Sequence, residues 1–561
     1  MPDHFSFLIR SRVRVGCALA VWFCSIALAA TDSSLPQLRP KGSAVELVVD
    51  GQPFLIRGGE LGNSSASNLK YLAPFWSKFT AMHLNTILAP VYWDLIEPKE
   101  GSFDFSLVDG LIRQARENRM RLVLLWFGSW KNSMSCYAPA WVKSDLSRFP
   151  RAQDRLGHDI EILSPFHNGN AEVDARAFAA LMQHLRETDG REHTVIMVQV
   201  ENEIGMIPTA RDHSAAATAQ FQQPVPTELM QRLQTARERG SLTSELRDRW
   251  ASAGGKTAGT WTEIFGDGPA TDELFMAWYF ARYTDVVAAK GKAEYALPMF
   301  ANAALIRPAY QPGQYPSAGP LPHLMDVWRA GAPHLDFLSP DIYFPNFAEW
   351  TGKYARLGNP LFVPEALRSP DAAVNALYAF GAHGAIGFAP FAIESVREPA
   401  ASLLAGSFDL IAQLTPLLAE RLGTGTTAGL RPPADEQRQP HELRLGGYVL
   451  SVVYERVRQS SLADGIPAAE MRESTNVPAG GLVIALGADE FLFAGTGVTV
   501  TFAPIESGKQ AGILSAEEGR FVDGVWQNVL WLGGDQTHQG RHLRLESGRF
   551  SIQRIKLYRY P

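Results

Sequence analysis

Between residues 46 and 400 the chain repeats one pattern eight times: a short apolar run of the kind a strand buried on both faces requires, then a stretch with helical spacing. The runs end near residues 60, 91, 127, 200, 300, 343, 364 and 391. This alternation predicts an α/β chain closed into a (β/α)8 TIM barrel, with its chemistry at the carboxyl ends of the strands. A doubly wound open sheet is the competing architecture, but no Gly-rich dinucleotide turn follows the first run. The stretch 206–269 breaks the rhythm and reads as an insertion after strand four, with its own helix near 227–239. Beyond a helix at 403–422, interrupted at Pro416, and a linker at Arg431-Pro-Pro433, strand-like runs punctuated by Gly fall at 448–456, 481–486, 490–493, 498–502, 525–532 and 549–558. They predict a C-terminal β-sandwich. The expected divisions are a leader (1–29), a lead-in (30–45), the barrel (46–400), a connecting helix and linker (401–430) and the sandwich (431–561).

The fourth run, Ile196-Met-Val-Gln-Val200, stops at Glu201-Asn-Glu203, and Gly205 then releases the backbone. The seventh ends at Glu365. In a barrel both strand ends open on one face, so Glu203 and Glu365 converge on one pocket although they are remote in sequence. Two facing carboxyl groups suit glycoside hydrolysis. One, protonated, donates to the leaving oxygen, and the other, ionised, attacks the anomeric carbon; a separation of about 5–5.5 Å makes such an enzyme retaining. Strict alternation puts Glu201 and Glu203 on one side of the strand and Asn202 on the other. An Asn beside the acid is useful only if it reaches the sugar, so a bulge or break is expected at the strand's end. Glu201 then serves as a hydrogen-bonding group behind the acid or at the barrel mouth.

Arg10, Arg12 and Arg14 precede an apolar stretch, 15–28, that closes on Ala27-Leu-Ala29. This is the pattern of a secretory signal peptide, and it is short for a membrane span. Cys17 and Cys24 fall inside it, leaving Cys136 alone in the mature chain, and no intrachain disulfide is expected. A net charge of −6 with scattered basic residues gives no footprint for nucleic acid, and no membrane partner is expected of the mature form. No Cys-x-x-Cys, His-Glu-x-x-His or phosphate-binding loop is present, so neither a metal nor an organic cofactor is expected; 423–429 reads as a linker. The oligomeric state is left open.

Gln199-Val-Glu-Asn-Glu-Ile-Gly205, Trp93-Asp-Leu-Ile-Glu-Pro98 and Gly101-Ser-Phe-Asp-Phe105 together resemble glycoside hydrolase family 35, the retaining β-galactosidases of clan A, over roughly residues 45–400. The tail is similar to the β-domain of a bacterial branch of that family. The resemblance implies that Glu203 is the acid/base, Asn202 binds the sugar 2-hydroxyl and Glu365 is the nucleophile. Taken together with the leader, it leads to the expectation of an exported exo-β-galactosidase, periplasmic or extracellular, whose carbohydrate substrate is a plant-type oligo- or polysaccharide with terminal β-galactose. The chain departs from the better-known members at Pro90, where those have Tyr before Val, at Trp130-Lys-Asn132 in place of Cys-Ala-Glu-Trp, and at Val363-Pro-Glu-Ala-Leu367 in place of Asn-Ser-Glu-Phe-Tyr.

Secondary candidates carry two readings each. Tyr343 either hydrogen-bonds Glu365 and keeps it ionised or plugs the barrel mouth. Glu60 binds sugar hydroxyls or pairs with Arg57. Trp130 and Asn132 line the terminal-sugar subsite or belong to a structural loop, and Asn302 and Phe388, ending strands five and eight, are similar prospects. Glu97 reads as a loop anchor, Tyr92 and Trp93 as core or aglycone platform, and Trp526 and Trp531 as core more readily than as sugar-stacking rings. Two rival functions are another clan A β-glycosidase, with a different sugar or an endo action, and a non-catalytic carbohydrate-binding barrel. The pairing of both carboxylates with Asn202 argues against the latter.

Overall fold

The computed structural model describes residues 35–356, 358–433, 440–455 and 477–561. The leader expected at 1–29 lies outside them. A hairpin, β1 (Gln37–Lys41) and β2 (Ala44–Val49), leads into eight parallel strands. These are β3 (Ile56–Glu60), β4 (Thr86–Tyr92), β5 (Arg121–Lys131), β6 (Val195–Asn202), β7 (Met299–Ala304), β8 (Phe337–Ile342), β9 (Phe362–Ala366) and β10 (Gly387–Pro390). Each pairs with the next in chain order and β10 returns to β3, closing the barrel. Every residue of β4 and of β8 is buried, because one face fills the barrel and the other lies under helices. The long helices α1 (Asn168–Asp189) and α2 (Pro269–Glu294) pack side by side outside the barrel, α1 on β5 and α2 on β6. They approach closely because Gly291 has no side chain: a Cβ there would stand 2.2 Å from the Phe178 ring.

Three expectations need correction. The third strand does not stop at residue 127 but runs to Lys131, taking in Gly128-Ser-Trp130, which read as loop. The fifth is Met299–Ala304, not 295–300: its small Ala residues around Asn302 lack the bulk by which a strand is recognised. The helix expected to break at Pro416 is continuous from Ala400 to Arg421. Proline removes one helical hydrogen bond, but Phe408, Ile411, Leu414 and Leu418 are buried along that helix and hold it together. The insertion folds as four helices, Ala215–Phe221, Thr227–Glu238, Ser244–Ser252 and Trp261–Phe265, where the sequence showed one.

The C-terminal region is a two-sheet sandwich. One sheet has six strands in the order β11-β14-β15-β20-β17-β18, formed by β11 (Thr427–Leu430), β14 (Gly480–Ala485), β15 (Glu490–Thr496), β17 (Gln510–Val522), β18 (Val525–Trp531) and β20 (Ser551–Tyr560). The other is β12-β13-β16-β19, from β12 (His441–Leu445), β13 (Tyr448–Tyr454), β16 (Val498–Pro504) and β19 (Leu543–Leu545). Strand alternation divides the six-stranded sheet between two cores. Leu482, Ile484, Leu492, Ala494 and Ile552 join the barrel's core, while Val483, Phe491, Phe493 and Ile555 pack with Leu450, Val452 and Val500 of the second sheet. The barrel-side contact falls on the helices α3 (Ala372–His383) and α4 (Ala400–Arg421). β11 occupies part of the stretch read as a linker.

At Gly381 of α3 this contact leaves no room for a side chain. A Cβ there would stand 2.6 Å from the Leu482 Cβ and 2.7 Å from the Ala428 carbonyl oxygen. Gly381→Val is expected to lower stability by about 1–3 kcal/mol through overpacking, read as an earlier urea midpoint. An unchanged midpoint would mean that the sheet lifts from the helix at no cost.

Candidate active site

At its carboxyl end β6 leaves ordinary strand geometry. Glu201 and Glu203 have φ of 62° and 44°, a left-handed region that costs a non-glycine residue on the order of 1 kcal/mol or more. Opposite them β5 bulges: Trp126 pairs with Val200, and the next pair is Lys131 with Asn202. This is the break expected from the sequence. Glu201, Asn202 and Glu203 are all buried.

The kinked backbone is held from two sides. The Glu203 N–H donates to Asn302 Oδ1 at 3.0 Å, and the Glu203 carbonyl accepts from the Ser133 N–H at 3.0 Å. Asn302 on β7 also donates to Asp341 Oδ2 at 2.6 Å, so both ends of its amide are engaged in positioning. Asn132 donates to Glu203 Oε2, and the Tyr343 hydroxyl donates to Glu365 Oε1. One carboxylate oxygen from each of Glu203, Asp341 and Glu365 lies within 4.8 Å of the others. Both amide atoms of Asn202 are buried without a protein partner.

Behind this group lies a second pair of acids. Glu201 accepts from the Trp130 N–H at 2.7 Å; Asp174, on α1, accepts from the Trp126 indole at 2.9 Å and the Ser129 N–H at 3.1 Å. Their carboxyl groups meet across Gly128, where a Cβ would stand 2.7 Å from Glu201 Oε1 and 2.9 Å from Asp174 Oδ1. Burial raises both above the ordinary carboxylate range, and the charge of Asp174 raises Glu201 further. Held by the Trp130 and Ser129 N–H groups, the two carboxyl groups brace the turn that presents Asn202 and Glu203.

Two family models match the chain. One, described as β-galactosidase and belonging to glycoside hydrolase family 42, covers residues 74–272; the other, described as a domain of unknown function (DUF5597), covers residues 404–544. A β-galactosidase of Xanthomonas manihotis is 28% identical over 206 residues, which is 36% of this chain and 31% of that relative. The chain thus matches about a third of the curated relative's length. Crystal structures of a cold-adapted β-galactosidase from Rahnella sp. R3 and of a β-galactosidase from Bacillus circulans sp. alkalophilus superpose with TM-scores of 0.44, at 16% and 15% identity, each over 65% of this chain and 57% of theirs. The sequence matches support likeness to a clan A β-galactosidase and do not single out family 35, which the motifs resemble. The matched segment 74–272 contains Asn202 and Glu203; Glu365 lies beyond it.

The electrostatics follow from crowding acids in a buried space. Burial, and then the charge of Glu365, holds Glu60 well above the ordinary carboxylate range, and burial with the charges of Glu365 and Glu203 does the same to Asp341. Both therefore favour the neutral form more than an ordinary carboxylate does. Glu365 is pushed up to about 7 by burial and by Glu203, against Lys131, the Tyr343 hydroxyl and the Glu60 carboxyl, which favour its anion. Burial works against the charge of Lys131, yet Glu365, Glu203, Glu60 and Asp341 outweigh it and hold the ammonium above its usual range. The Tyr343 phenol is kept protonated by burial and by Glu365.

Of the residues read from the sequence, Glu203, Glu365, Asn202, Tyr343, Glu60 and Asn132 come together, with Asn302 as their brace. Glu60 does not pair with Arg57, which donates to the His83 carbonyl instead. Trp130 and Phe388 do not face the acid cluster. Trp130 packs on Phe280 and Tyr283 with its indole toward the Leu163 carbonyl, and Phe388 packs outward on Phe347. The bulge in β5 explains the first: it turns Lys131 into the cluster and leaves its neighbour in the core. Trp93 is core as well, and Glu97 anchors its loop, accepting from the Trp93 indole, the Gly101 N–H and Arg176. Lys131, Asp341 and Asp174 were not singled out from the sequence. The signal for Asp341 was present, since a carboxylate inside the apolar run of β8 is as unusual as one at the end of β6.

Proposed function

We propose that this protein is a retaining exo-β-galactosidase of clan A that removes terminal β-galactosyl residues from plant-type oligo- or polysaccharides after export from the cytoplasm. The observation that carries the reading is the spacing of Glu203 and Glu365, whose nearest oxygens lie within 4.8 Å, in keeping with the roughly 5–5.5 Å between carboxyl groups of double-displacement enzymes. Glu203 protonates the glycosidic oxygen while Glu365 attacks the anomeric carbon, and the bond to the leaving group breaks. Glu203 then takes a proton from water, whose oxygen displaces Glu365 and restores the original anomeric configuration. Glu365 suits the nucleophile's part because Tyr343, Glu60 and Lys131 all favour its anion. The exo reading is supported by the enclosure of both acids, each 4% exposed, which suits a chain end better than a chain interior. Export rests on the leader, and family 35 on the motifs around Asn202. Turnover of a panel of nitrophenyl glycosides, with the first-formed anomer followed by proton NMR, tests the proposal: the β-galactoside should be cleaved fastest, with the β-anomer released first.

Two variants probe how the site is tuned. Glu365 must be ionised to attack while Glu203 keeps its proton, so kcat/KM should show an acid limb, falling as pH drops through about 7, the value set by the acid pair. Tyr343→Phe removes a donor to the anion, so this acid limb should move to higher pH. A limb that stays in place would mean that the phenol does not act on Glu365. Asn202→Ala should lower kcat/KM for the galactoside by about 10²- to 10³-fold, if its unpartnered amide grips the 2-hydroxyl in the transition state. The loss should nearly vanish on the 2-deoxygalactoside; equal losses on both substrates would remove Asn202 from that role.

A further inference from the structure

We propose that the outer end of the six-stranded sheet is a second carbohydrate site, a platform on which an extended glycan chain lies across Trp531, Tyr558 and Tyr560. The three rings are unusually open for aromatic side chains, at 64%, 46% and 39% exposure. Strand register places them on one face. Trp531 pairs across from Glu517, Glu517 pairs with Arg554 on β20, and Tyr558 and Tyr560 follow Arg554 on the same side of that strand. This is also the face that, at Ile552 and Leu492, packs into the barrel core, so the rings occupy its uncovered continuation.

Tyr558 lies flat. Its partner across the ladder is Gly512, where a Cβ would stand 2.4 Å from the ring's Cε1 and 2.5 Å from its Cζ, so one face of the ring rests on backbone and the other is turned outward. An outward π-face accepts the axial C–H groups of a pyranose. From Trp531 to Tyr558 is four residues along β20, about 13 Å, and two strands across, about 10 Å, giving roughly 16 Å. That is the reach of an oligosaccharide and not of one sugar.

The company of the rings favours sugar over protein. Glu517, Lys556 and Gln510 alternate with them and offer hydrogen-bonding groups; Gln510 already accepts from the Tyr560 hydroxyl at 3.2 Å. Of the exposed aliphatic residues of the same hairpin, Val525 and Leu530 point to the opposite face, since they pair with Val522 and Glu518, while Leu514 and Val529 stand unpaired at the two register shifts. Every ladder-paired position of the row from Trp531 to Tyr560 is therefore aromatic, polar or glycine, whereas the centre of a protein interface is depleted of charged residues. The platform does not depend on the galactosidase reading, because it concerns binding alone.

The test uses the full chain carrying Glu365→Gln, so that bound glycan is not cleaved, in native gels containing soluble β-1,4-galactan or a galactose-decorated β-glucan. At least one polysaccharide should retard the parent, and Trp531→Ala/Tyr558→Ala should weaken that binding by about tenfold or more. Tyr558→Phe, which keeps the ring, should bind as the parent does. In the background with Glu365 intact, the double variant should leave kcat/KM for the nitrophenyl galactoside unchanged and raise KM for the polysaccharide. Trp531→Ala alone, at an open position, provides the test if the double variant misfolds. Equal retardation of parent and variants, or retardation of neither, overturns the proposal. A shift from dimer to monomer with binding unchanged assigns the face to a second copy of the chain instead.

Discussion

Glu365→Gln is expected to lower kcat for a nitrophenyl β-galactoside by a factor on the order of 10⁵, with little change in KM. Glutamine has the shape of glutamate, and its carbonyl still accepts from the Tyr343 hydroxyl, so β9 and the cluster around it keep their geometry. What is lost is the attacking anion. An amide oxygen does not form a lasting bond to the anomeric carbon, and Glu60 and Asp341, whose burial favours their neutral forms, are poor replacements for it. Glu365→Ala separates the nucleophile's role from a structural one. Azide entering the space that the carboxylate leaves approaches the sugar from the side opposite the leaving group, so a single displacement yields the α-galactosyl azide. Wild-type turnover in Glu365→Gln, or a β-configured azide from Glu365→Ala, would remove Glu365 from this role.

Glu365 was legible in the sequence for the same reason as Glu203: each ends a run of residues that otherwise avoid charge, and in a barrel such ends meet. The barrel strands were readable wherever bulk marked them, as at Leu122 to Phe127, and unreadable where the interior is small and polar. β7, with Ala301, Asn302 and Ala303, is that case, because its core contact is the hydrogen bond from Asn302 to Asp341. β17 escaped notice because Gly512, Gly519 and the adjacent Glu517 and Glu518 look like turn chemistry, yet the glycines seat aromatic rings and the acids pair across the sheet. Lys131 was hidden by the bulge in β5, which changes the side chain facing the site without leaving a mark in the pattern. A lysine after an apolar strand reads as its solvated end. Here four buried carboxyl groups make burial of the ammonium favourable, and only the folded chain brings them together.

Glu203→Gln should divide substrates by how much help their leaving group needs. For an alkyl β-galactoside, whose departing oxygen must be protonated, kcat is expected to fall by about 10³- to 10⁴-fold. For a dinitrophenyl galactoside the first step needs no acid, so the galactosyl enzyme should form rapidly and then persist, because no base is left to activate water. The trace is a burst of phenolate close to one equivalent followed by slow turnover. Azide needs no base, so it should restore turnover and give the β-galactosyl azide, the configuration opposite to that from Glu365→Ala. The two products together assign the roles by stereochemistry, independently of how protons are shared within the acid cluster. Asn132 donates to Glu203 Oε2, an arrangement that a glutamine carbonyl preserves, so the variant should unfold at the parent's midpoint. Equal losses on the alkyl and dinitrophenyl substrates would mean that Glu203 positions the sugar without transferring a proton, and the acid would then have to be sought in Asp341, which has a carboxyl oxygen within 4.8 Å of those of Glu203 and Glu365.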